Sequence, residues 1–511
     1  MNSSNAPSVS VAMNSEKPRS KFEWLPVPSL LSSLASRVKS YPVFREEELI
    51  NLGDARLNKR FVHILAQFAQ APIASIPQAM GGAWKSIKAA YRFFTNKKVS
   101  ADEISKAHRE STLERIGELP LILSVQDTTY LNFTTHRTTR GLGPIGKGTL
   151  RGFLLHSALA VSSEGVPLGL LAHKILVRPE KVPKAQKTKK PMGRPKKTDS
   201  ASQSASPEEP KESARWIEVS QEVEKVVLQG TRVIHIGDRE NDFFEFFSAA
   251  QKEGFEVLVR GSHDRVLSKD QGTLRTTVSQ SPLLGAVAVE IPRSKDRKAR
   301  KALVEIRACP VTLPVPAPLR KSSPDSPTIN VLLISEISTP PDKEKPISWL
   351  LLTSLPVTSL EDAHQCLVWY TYRWRIERYH YAIKSGCTVE QLELEEASRL
   401  FRALAVYQIV AFRLLHLTYL AREEEKSLPC TLVLTPQEWM TLYALSKKTH
   451  KMPKNPPSIK VAIRQIATLG GFIGRKGDGD PGMKVLWRGF MALHYALCGV
   501  LAVRAFPPDP D

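Results

Sequence analysis

The 511-residue sequence has little cysteine and no long apolar segment at its start. Its five cysteines are scattered without a Cys-x-x-Cys pair, which argues against a zinc ribbon or a disulfide framework and fits a reducing compartment. The N-terminal segment MNSSNAPSVSVAMNSEKPRSK is polar and lacks the apolar core of a signal peptide. The most apolar late stretch, residues 485–503, is interrupted by Arg488 and His494. We therefore expect a packed helix there and no membrane partner.

Acidic residues are also scarce relative to basic ones. The chain has 72 Lys and Arg against 51 Asp and Glu, a formal net charge of +21. Such a balance favours a polyanionic partner, because phosphate attracts the basic surface and counterions are released on binding. A basic surface kept for solubility is the alternative. With 42% apolar and 24% charged residues, the composition excludes wholesale disorder and a fibrous repeat.

The pattern of apolar residues changes several times along the chain. Residues 1–44 are a Ser- and Pro-rich tail, which we expect to be disordered, and residues 45–119 form a helical domain. Apolar runs of strand length follow in 120–262, interrupted by a basic flexible linker at 178–215. Residues 263–346 are a mostly β insertion, and the chain is mainly helical from Leu360 onward. This order predicts an α/β sheet with helical flanks.

Within the helical domain, the spacing predicts two helices separated by Gly81 and Gly82. The first has apolar positions from Leu57 to Phe68 at helical intervals. The second carries Trp84, Ile87 and Tyr91.

Two acids follow predicted buried strands. Asp127 ends the run 121–127, and Asp238 ends the run 233–238. Carboxylates at the open edge of a sheet are well placed for a site, although a turn or helix-capping role is the commoner fate of Asp after a strand. With a third carboxylate, the pair would suit Mg²⁺ or Mn²⁺, which prefer oxygen ligands.

The third carboxylate lies in a predicted helix over residues 360–384. Tyr370, Arg373, Glu377 and Lys384 fall on one face of an ideal helix, because they are spaced by 3, 4 and 7 residues. A solvated face, with an ion pair between Arg373 and Glu377, would give the same pattern.

The sequence around Glu377 resembles that of a known family. The run YTYRWRIERYHYAIKSG reproduces the Tyr-x2-Arg-x3-Glu-x6-Lys signature of bacterial insertion-sequence transposases of the DDE type, the IS-four group that includes the Tn-five transposase. Further matching blocks occur in the same order along most of the chain, including NLGDARLNKRF, SVQDTTYLNF, IGDREND and IATLGGFIG.

This resemblance implies an RNase-H-like catalytic core with a β insertion, flanked by an N-terminal helical DNA-binding domain (45–119) and a C-terminal helical dimerisation domain (396–511). The core would comprise 120–262 and 347–395. Its catalytic triad would be Asp127, Asp238 and Glu377, holding two Mg²⁺ or Mn²⁺ ions for phosphoryl transfer.

The resemblance also implies a set of DNA-binding residues. Those near the cleavage site are Tyr370, Arg373 and Lys384, which match residues that contact the transposon-end phosphates. Trp349 and Trp374 resemble aromatics that stack on an extruded base, and Arg260 matches a further DNA-contacting position. Core packing is the alternative role for Trp349, and a structural ion pair for Arg260. Arg60 and Arg92 match positions that bind the transposon end, although Gln70 and Ala71 depart from the relative's residues.

Together these features predict a metal-dependent cut-and-paste DNA transposase, acting as a homodimer on transposon-end and target DNA in the bacterial cytoplasm, at the nucleoid. Two alternatives remain. One is a nuclease on the same fold without strand transfer, and the other is a catalytically inactive protein that binds transposon ends and inhibits an active transposase.

Overall fold

A computed structural model of the chain describes residues 44–505, except 147, 181–210, 269–271, 292–299, 321–324, 342–343, 421–427 and 476. The predicted N-terminal tail lies outside the described residues apart from Phe44, as does most of the predicted basic linker. The architecture is mixed α/β: N-terminal helices, a central sheet and C-terminal helices.

The central sheet has ten strands in the order β2-β3-β1-β5-β6-β12-β11-β10-β9, with β4 paired to β3 outside this path. The first six strands in the chain are β1 (Leu121–Asn132), β2 (Gly143–Pro144), β3 (Arg151–Ser162), β4 (Pro167–Leu176), β5 (Arg232–Gly237) and β6 (Glu256–Arg260). A separate hairpin follows, made of β7 (Val266–Ser268) and β8 (Gly272–Thr273). The last four are β9 (Leu283–Ile291), β10 (Arg300–Thr312), β11 (Thr328–Glu336) and β12 (Ser348–Thr353).

Parallel pairing is confined to the middle of this sheet. Strand β5 runs parallel to both β1 and β6. Strands β1, β3 and β4 are joined antiparallel, and so are β6, β12, β11, β10 and β9. The residues between β6 and β12 therefore add β9, β10 and β11 to the same sheet, in agreement with the predicted β character of 263–346.

The N-terminal helices span Glu46–Leu49, Ala55–Gln70, Ile76–Ala79, Trp84–Thr95 and Ala101–Ile116. Asp54 caps the second of them by accepting a hydrogen bond from the Arg56 amide. Phe61 and Phe68 are fully buried, as their helical spacing predicts. Trp84 is not: 73% of its surface is exposed. The helix buries Ala90, Phe93 and Phe94 instead.

A helix at Ala214–Val226 precedes β5, another at Phe244–Glu253 lies between β5 and β6, and a short one at Leu274–Ser279 precedes β9. The C-terminal helices are Ala397–Leu420, Pro436–Lys447, Ile459–Leu469 and Met483–Ala505. By length and composition, Ala397–Leu420 and a stretch of the last helix, Met483–Val503, are apolar enough to cross a membrane. The first is a core helix, since 83% of its apolar window is buried, against 39% for the second.

The predicted single helix over 360–384 is instead two helices and a wider turn. A helix spans Leu360–Thr371, capped by Ser359, and a second spans Trp374–Tyr381. The backbone tightens between them, since the Arg373 amide bonds to the Tyr370 carbonyl three residues earlier, over 3.1 Å. It then widens into a π-type turn at Ala382–Gly386. The prediction of one regular helix, which placed Lys384 on the same face as Glu377, is therefore wrong in detail.

Candidate functional site

Asp127 and Asp238 lie beside each other on neighbouring parallel strands. Val125 of β1 pairs with Ile236 of β5, so continuing the same register by two residues brings Asp127 level with Asp238. Burial raises the pKa of Asp238, and the negative charge of Asp127 raises it further, even though the Glu240 amide donates a hydrogen bond to it. The two carboxylates therefore share one polar site, and Asp238 also has the capping role that the sequence left open.

The sequence predicts that strand β1 ends at Asp127, but the strand continues beyond it. Strand β1 continues to Asn132, because its antiparallel partner β3 extends beyond the end of β5. Asp127 pairs with Ser157, and Asn132 pairs with Gly152. The sheet edge that exposes Asp127 is thus created by the end of β5.

Glu377 lies on the helix Trp374–Tyr381 and forms an ion pair with Arg373. The guanidinium donates a hydrogen bond to Glu377 Oε1 over 2.6 Å. This is the i,i+4 pair that a solvated face would form, but only part of the face is solvated: Arg373 and Tyr370 are 8% and 4% exposed, whereas 38% of the Glu377 side chain is exposed.

The same guanidinium interacts with the other two acids. Burial opposes the charge of Arg373, but Tyr370, Glu377 and then Asp127 raise its pKa above the ordinary value. Arg373 in turn lowers the pKa of Asp238, against the larger effect of burial. Arg373 therefore hydrogen-bonds to Glu377 and interacts electrostatically with Asp127 and Asp238.

The donor set is entirely oxygen, which fits a hard divalent cation. In the described parts of the chain, however, no group of three or more His, Cys, Asp or Glu side chains is close enough to hold a metal ion. One oxygen of Glu377, Oε1, instead accepts a hydrogen bond from the Arg373 guanidinium.

Three of the predicted DNA-binding residues form one cluster next to these acids. The Arg260 guanidinium lies 5.0 Å from the centre of the Trp349 ring. The Trp349 and Tyr370 rings are 6.1 Å apart, edge to face. Burial lowers the pKa of Arg260, and contact with Tyr370 partly offsets this. Trp349 is half-buried beneath Arg260, so packing is part of its role.

Trp374 and Lys384 lie at the exposed side of the same region. Trp374 is 53% exposed, and the Arg373 guanidinium lies 4.8 Å from the centre of its ring. Lys384 lies 3.6 Å from Glu390, whose carboxylate accepts a hydrogen bond from the Asn132 amide at the end of β1.

Arg60 and Arg92 belong to the N-terminal helices. Arg92 is exposed on Trp84–Thr95, and Arg60 is half-buried on Ala55–Gln70. Neither forms an ion pair with any residue in the described ranges.

The sequence reasoning missed three residues of the site. His380 is 5% exposed, and its Nδ1 lies 3.7 Å from Asp127 Oδ2. Burial raises the pKa of Glu240, and so do Asp238 and Asp127, while its ion pair with Arg215 at 2.7 Å opposes the rise. The spacing in the sequence could have indicated two of them, because His380 is one helical turn after Glu377 and Glu240 is two residues after Asp238. No such spacing indicates Arg215.

A buried polar network lies behind Asp127. Thr128 Oγ1 is 2.9 Å from His156 Nδ1, and His156 Nε2 is 3.2 Å from Gln126 Oε1. Gln126 Nε2 is 2.9 Å from Ser220 Oγ and 3.1 Å from His235 Nδ1. All donors and acceptors match when both histidines are neutral, and burial holds the pKa of His156 well below its usual range. The network fixes both neighbours of Asp127 in β1.

Asp242 has a structural role at the end of this region. Its carboxylate accepts hydrogen bonds from the Ser262 amide over 2.6 Å and from the His263 amide over 3.1 Å, and it pairs with Arg265. Asp242 thus fixes the start of the inserted segment rather than facing the other acids.

Known proteins match this chain at both ends. Residues 43–99 match a transposase DNA-binding family, and residues 409–507 match the transposase Tn5 dimerisation domain. Among solved structures, this chain is similar to a piggyBac transposase synaptic complex with hairpin DNA. The alignment covers 90% of this chain and 74% of the piggyBac chain, at 9% identity and a TM-score of 0.33. The two family matches confirm the resemblance drawn from the motifs: the chain is similar to the Tn5-type transposases in its DNA-binding and dimerisation regions.

Proposed function

We propose that this protein is a metal-dependent DNA transposase that cuts at transposon-end repeats and joins the freed ends to target DNA. The observation that carries the proposal is the interaction of Asp127, Asp238 and Glu377 with Arg373 at one sheet edge. The family matches add DNA-binding and dimerisation regions on either side of this site.

The strand order supports an RNase-H-like core. Strands β4, β3 and β1 form an antiparallel meander, and β5 and β6 continue it in parallel with β1. The first two acids come from adjacent strands of this unit, and the third comes from a helix that follows the inserted segment.

Asp127, Asp238 and Glu377 are the residues that would hold Mg²⁺ or Mn²⁺, two ions per site. When bound, such ions activate a water or DNA 3′-hydroxyl and stabilise the leaving oxygen. The carboxylates supply the oxygen ligands, and the polar network behind Asp127 keeps that carboxylate oriented.

The basic and aromatic residues around the acids would position the DNA. Arg373 and Lys384 bind backbone phosphates, and Tyr370 places its hydroxyl beside Arg260. Exposed Trp374 offers an indole face to an extruded base, with Trp349 in a more buried supporting position. Cleavage would pass through a hairpin, as the resemblance implies.

Phosphate has to compete with Glu377 for Arg373. Because Arg373 is bound to Glu377, a phosphate that takes over the guanidinium would free the third carboxylate for metal. The site would then be completed only when DNA is in place.

The test is cleavage of a DNA fragment that carries the element's own terminal repeats, with Mg²⁺ or with EDTA. We expect metal-dependent cuts confined to the repeat ends, with a hairpin product on denaturing gels. Glu377→Gln, Asp127→Asn and Asp238→Asn should lower the cleavage rate by at least about 10³-fold while repeat binding persists. Arg378→Gln, which removes an exposed charge from the same helix, is the matched control.

Two other outcomes would contradict the proposal. Cuts scattered without regard to the repeats would indicate the nuclease. Repeat binding with no cleavage in Mg²⁺ or Mn²⁺ would indicate the inactive end-binding protein.

A further inference from the structure

Trp84 is the most exposed large apolar side chain in the described parts of the chain. It starts the helix Trp84–Thr95 at 73% exposure, although the rest of that helix packs by Ala90, Phe93 and Phe94. An indole left in water on a helix with a well-formed apolar face is not needed for packing. Its position therefore suggests an intermolecular contact.

The charged residues on the helix of Trp84 are all basic. Lys88 and Arg92 follow it at successive intervals of four residues, and Lys85 lies beside it, so the four side chains share one exposed face. None of these three cations forms an ion pair within the described ranges. By contrast, Arg56 on the helix Ala55–Gln70 pairs with Asp54 over 3.0 Å.

The wider segment has the same character. Residues 55–98 contain eight Lys and Arg residues and no Asp or Glu. A surface with this charge complements a polyphosphate backbone and repels basic partners. It also lies within the residues that match the transposase DNA-binding family.

We propose that Trp84 contacts base edges in the groove of the transposon-end duplex, while Lys88 and Arg92 bind the flanking phosphates. This inference rests on the proposed function and assigns to Trp84 a part in recognising the end. Phosphate contacts hold any duplex, whereas an apolar contact to base edges forms only on the matching sequence. Trp84 therefore contributes to preference for the repeat, and the lysines and arginine contribute to affinity for all DNA.

Equilibrium binding of the full chain to two labelled duplexes tests this, one copied from the terminal repeat and one of unrelated sequence. Trp84→Ala should weaken repeat binding at least about 5-fold and leave unrelated binding unchanged, since a buried Trp anchor at an interface costs that much when truncated. Trp84→Phe should restore most of the loss. Leu228→Ala, which truncates another side chain that is 60% exposed, should change neither affinity.

Salt dependence separates the two kinds of contact. Lys88→Ala should reduce the slope of log affinity against log salt by about one unit, as expected for one lost phosphate contact, whereas Trp84→Ala should leave that slope unchanged. Equal loss on both duplexes, or no loss with Trp84→Ala, would overturn the inference while leaving the proposed function intact. A wild-type protein that does not prefer the repeat would overturn both. If Trp84→Ala changed only dimerisation, the surface would be a protein contact instead.

Discussion

The Arg373 guanidinium hydrogen-bonds to Glu377 Oε1 over 2.6 Å, and it does so while almost completely buried. An ion pair of this kind on a solvated helix contributes little. Here Asp127 and Asp238 also interact with the same cation. Arg373 therefore offsets part of the negative charge of the three acids for which the proposed reaction requires metal.

Removing this cation should make the carboxylates more available to metal. Arg373→Gln leaves Glu377 without its partner. Because the charge-assisted hydrogen bond from Arg373 no longer competes with the ion for this carboxylate, we expect the protein without DNA to bind Mn²⁺ about tenfold more tightly. The measurement is a Mn²⁺ titration followed by electron paramagnetic resonance. Arg378→Gln should leave the affinity near that of the wild type, since Arg378 is exposed on the same helix. Equal affinity of Arg373→Gln and the wild type would mean that Glu377 does not need to be released.

The polar network behind Asp127 makes a separate prediction. Gln126 is 1% exposed and is bonded to His156, His235 and Ser220, so Gln126→Leu leaves three buried polar groups without their partner. The loss in the free energy of unfolding should be about 1–3 kcal/mol or more.

Cleavage should fall further than repeat binding in this variant, because Gln126 is the immediate neighbour of Asp127 in β1. Thermal denaturation and the cleavage assay measure the two effects. Gln221→Leu removes a glutamine whose partner, Glu253, is at the surface, and should change little. An unchanged melting temperature for Gln126→Leu would show that the network is not important for stability.

The sequence located the two strand acids because an apolar run followed by Asp is a local pattern. It misjudged the end of β1, since the extra residues from Asp127 to Asn132 are held by pairing with β3, a tertiary contact. The helix carrying Glu377 was also predicted in outline, but its break near Arg373 depends on packing that periodicity does not report.

Other features were beyond local patterns altogether. Arg215 reaches Thr128 and Glu240 across 87 and 25 residues of sequence, so no spacing rule would join them. Trp84 has the spacing of a core residue, yet the helix turns that part of its surface to solvent. The spacing of apolar residues indicates which face of a helix is apolar. It does not indicate how much of that face a neighbouring element buries.

Close backbone contact in the C-terminal region predicts a sensitive glycine. A Cβ added at Gly489 would lie 1.8 Å from the Ile466 carbonyl oxygen, so Gly489→Ala must push the helices Ile459–Leu469 and Met483–Ala505 apart. We expect a loss of about 1–3 kcal/mol or more and a lower melting temperature. Gly499→Ala on the same helix is the matched control, since nothing lies within 4 Å of its added Cβ, and it should be neutral or slightly stabilising. Similar melting temperatures for the two variants would contradict the close packing.

Buried histidines predict a loss of stability in mild acid. His416 is 3% exposed, and its Nδ1 donates a hydrogen bond to the Pro167 carbonyl over 2.9 Å. Burial lowers its pKa from 6.5 to about 4. Because the folded pKa lies below the unfolded one, the unfolded chain binds the proton first, and stability present above pH 6.5 is lost as pH falls towards 4.

This single group can account for a loss of up to about 3 kcal/mol by pH 4. His416→Phe should be less stable than the wild type at pH 7.5, because it lacks the bond to Pro167, yet it should lose less stability between pH 6.5 and 4. Melting temperatures across this range give the comparison, and His450→Phe, which removes an exposed histidine, should follow the wild-type curve. If His416→Phe and the wild type lost stability in parallel, His416 would be protonated in the folded state, and the donor to Pro167 would be an imidazolium.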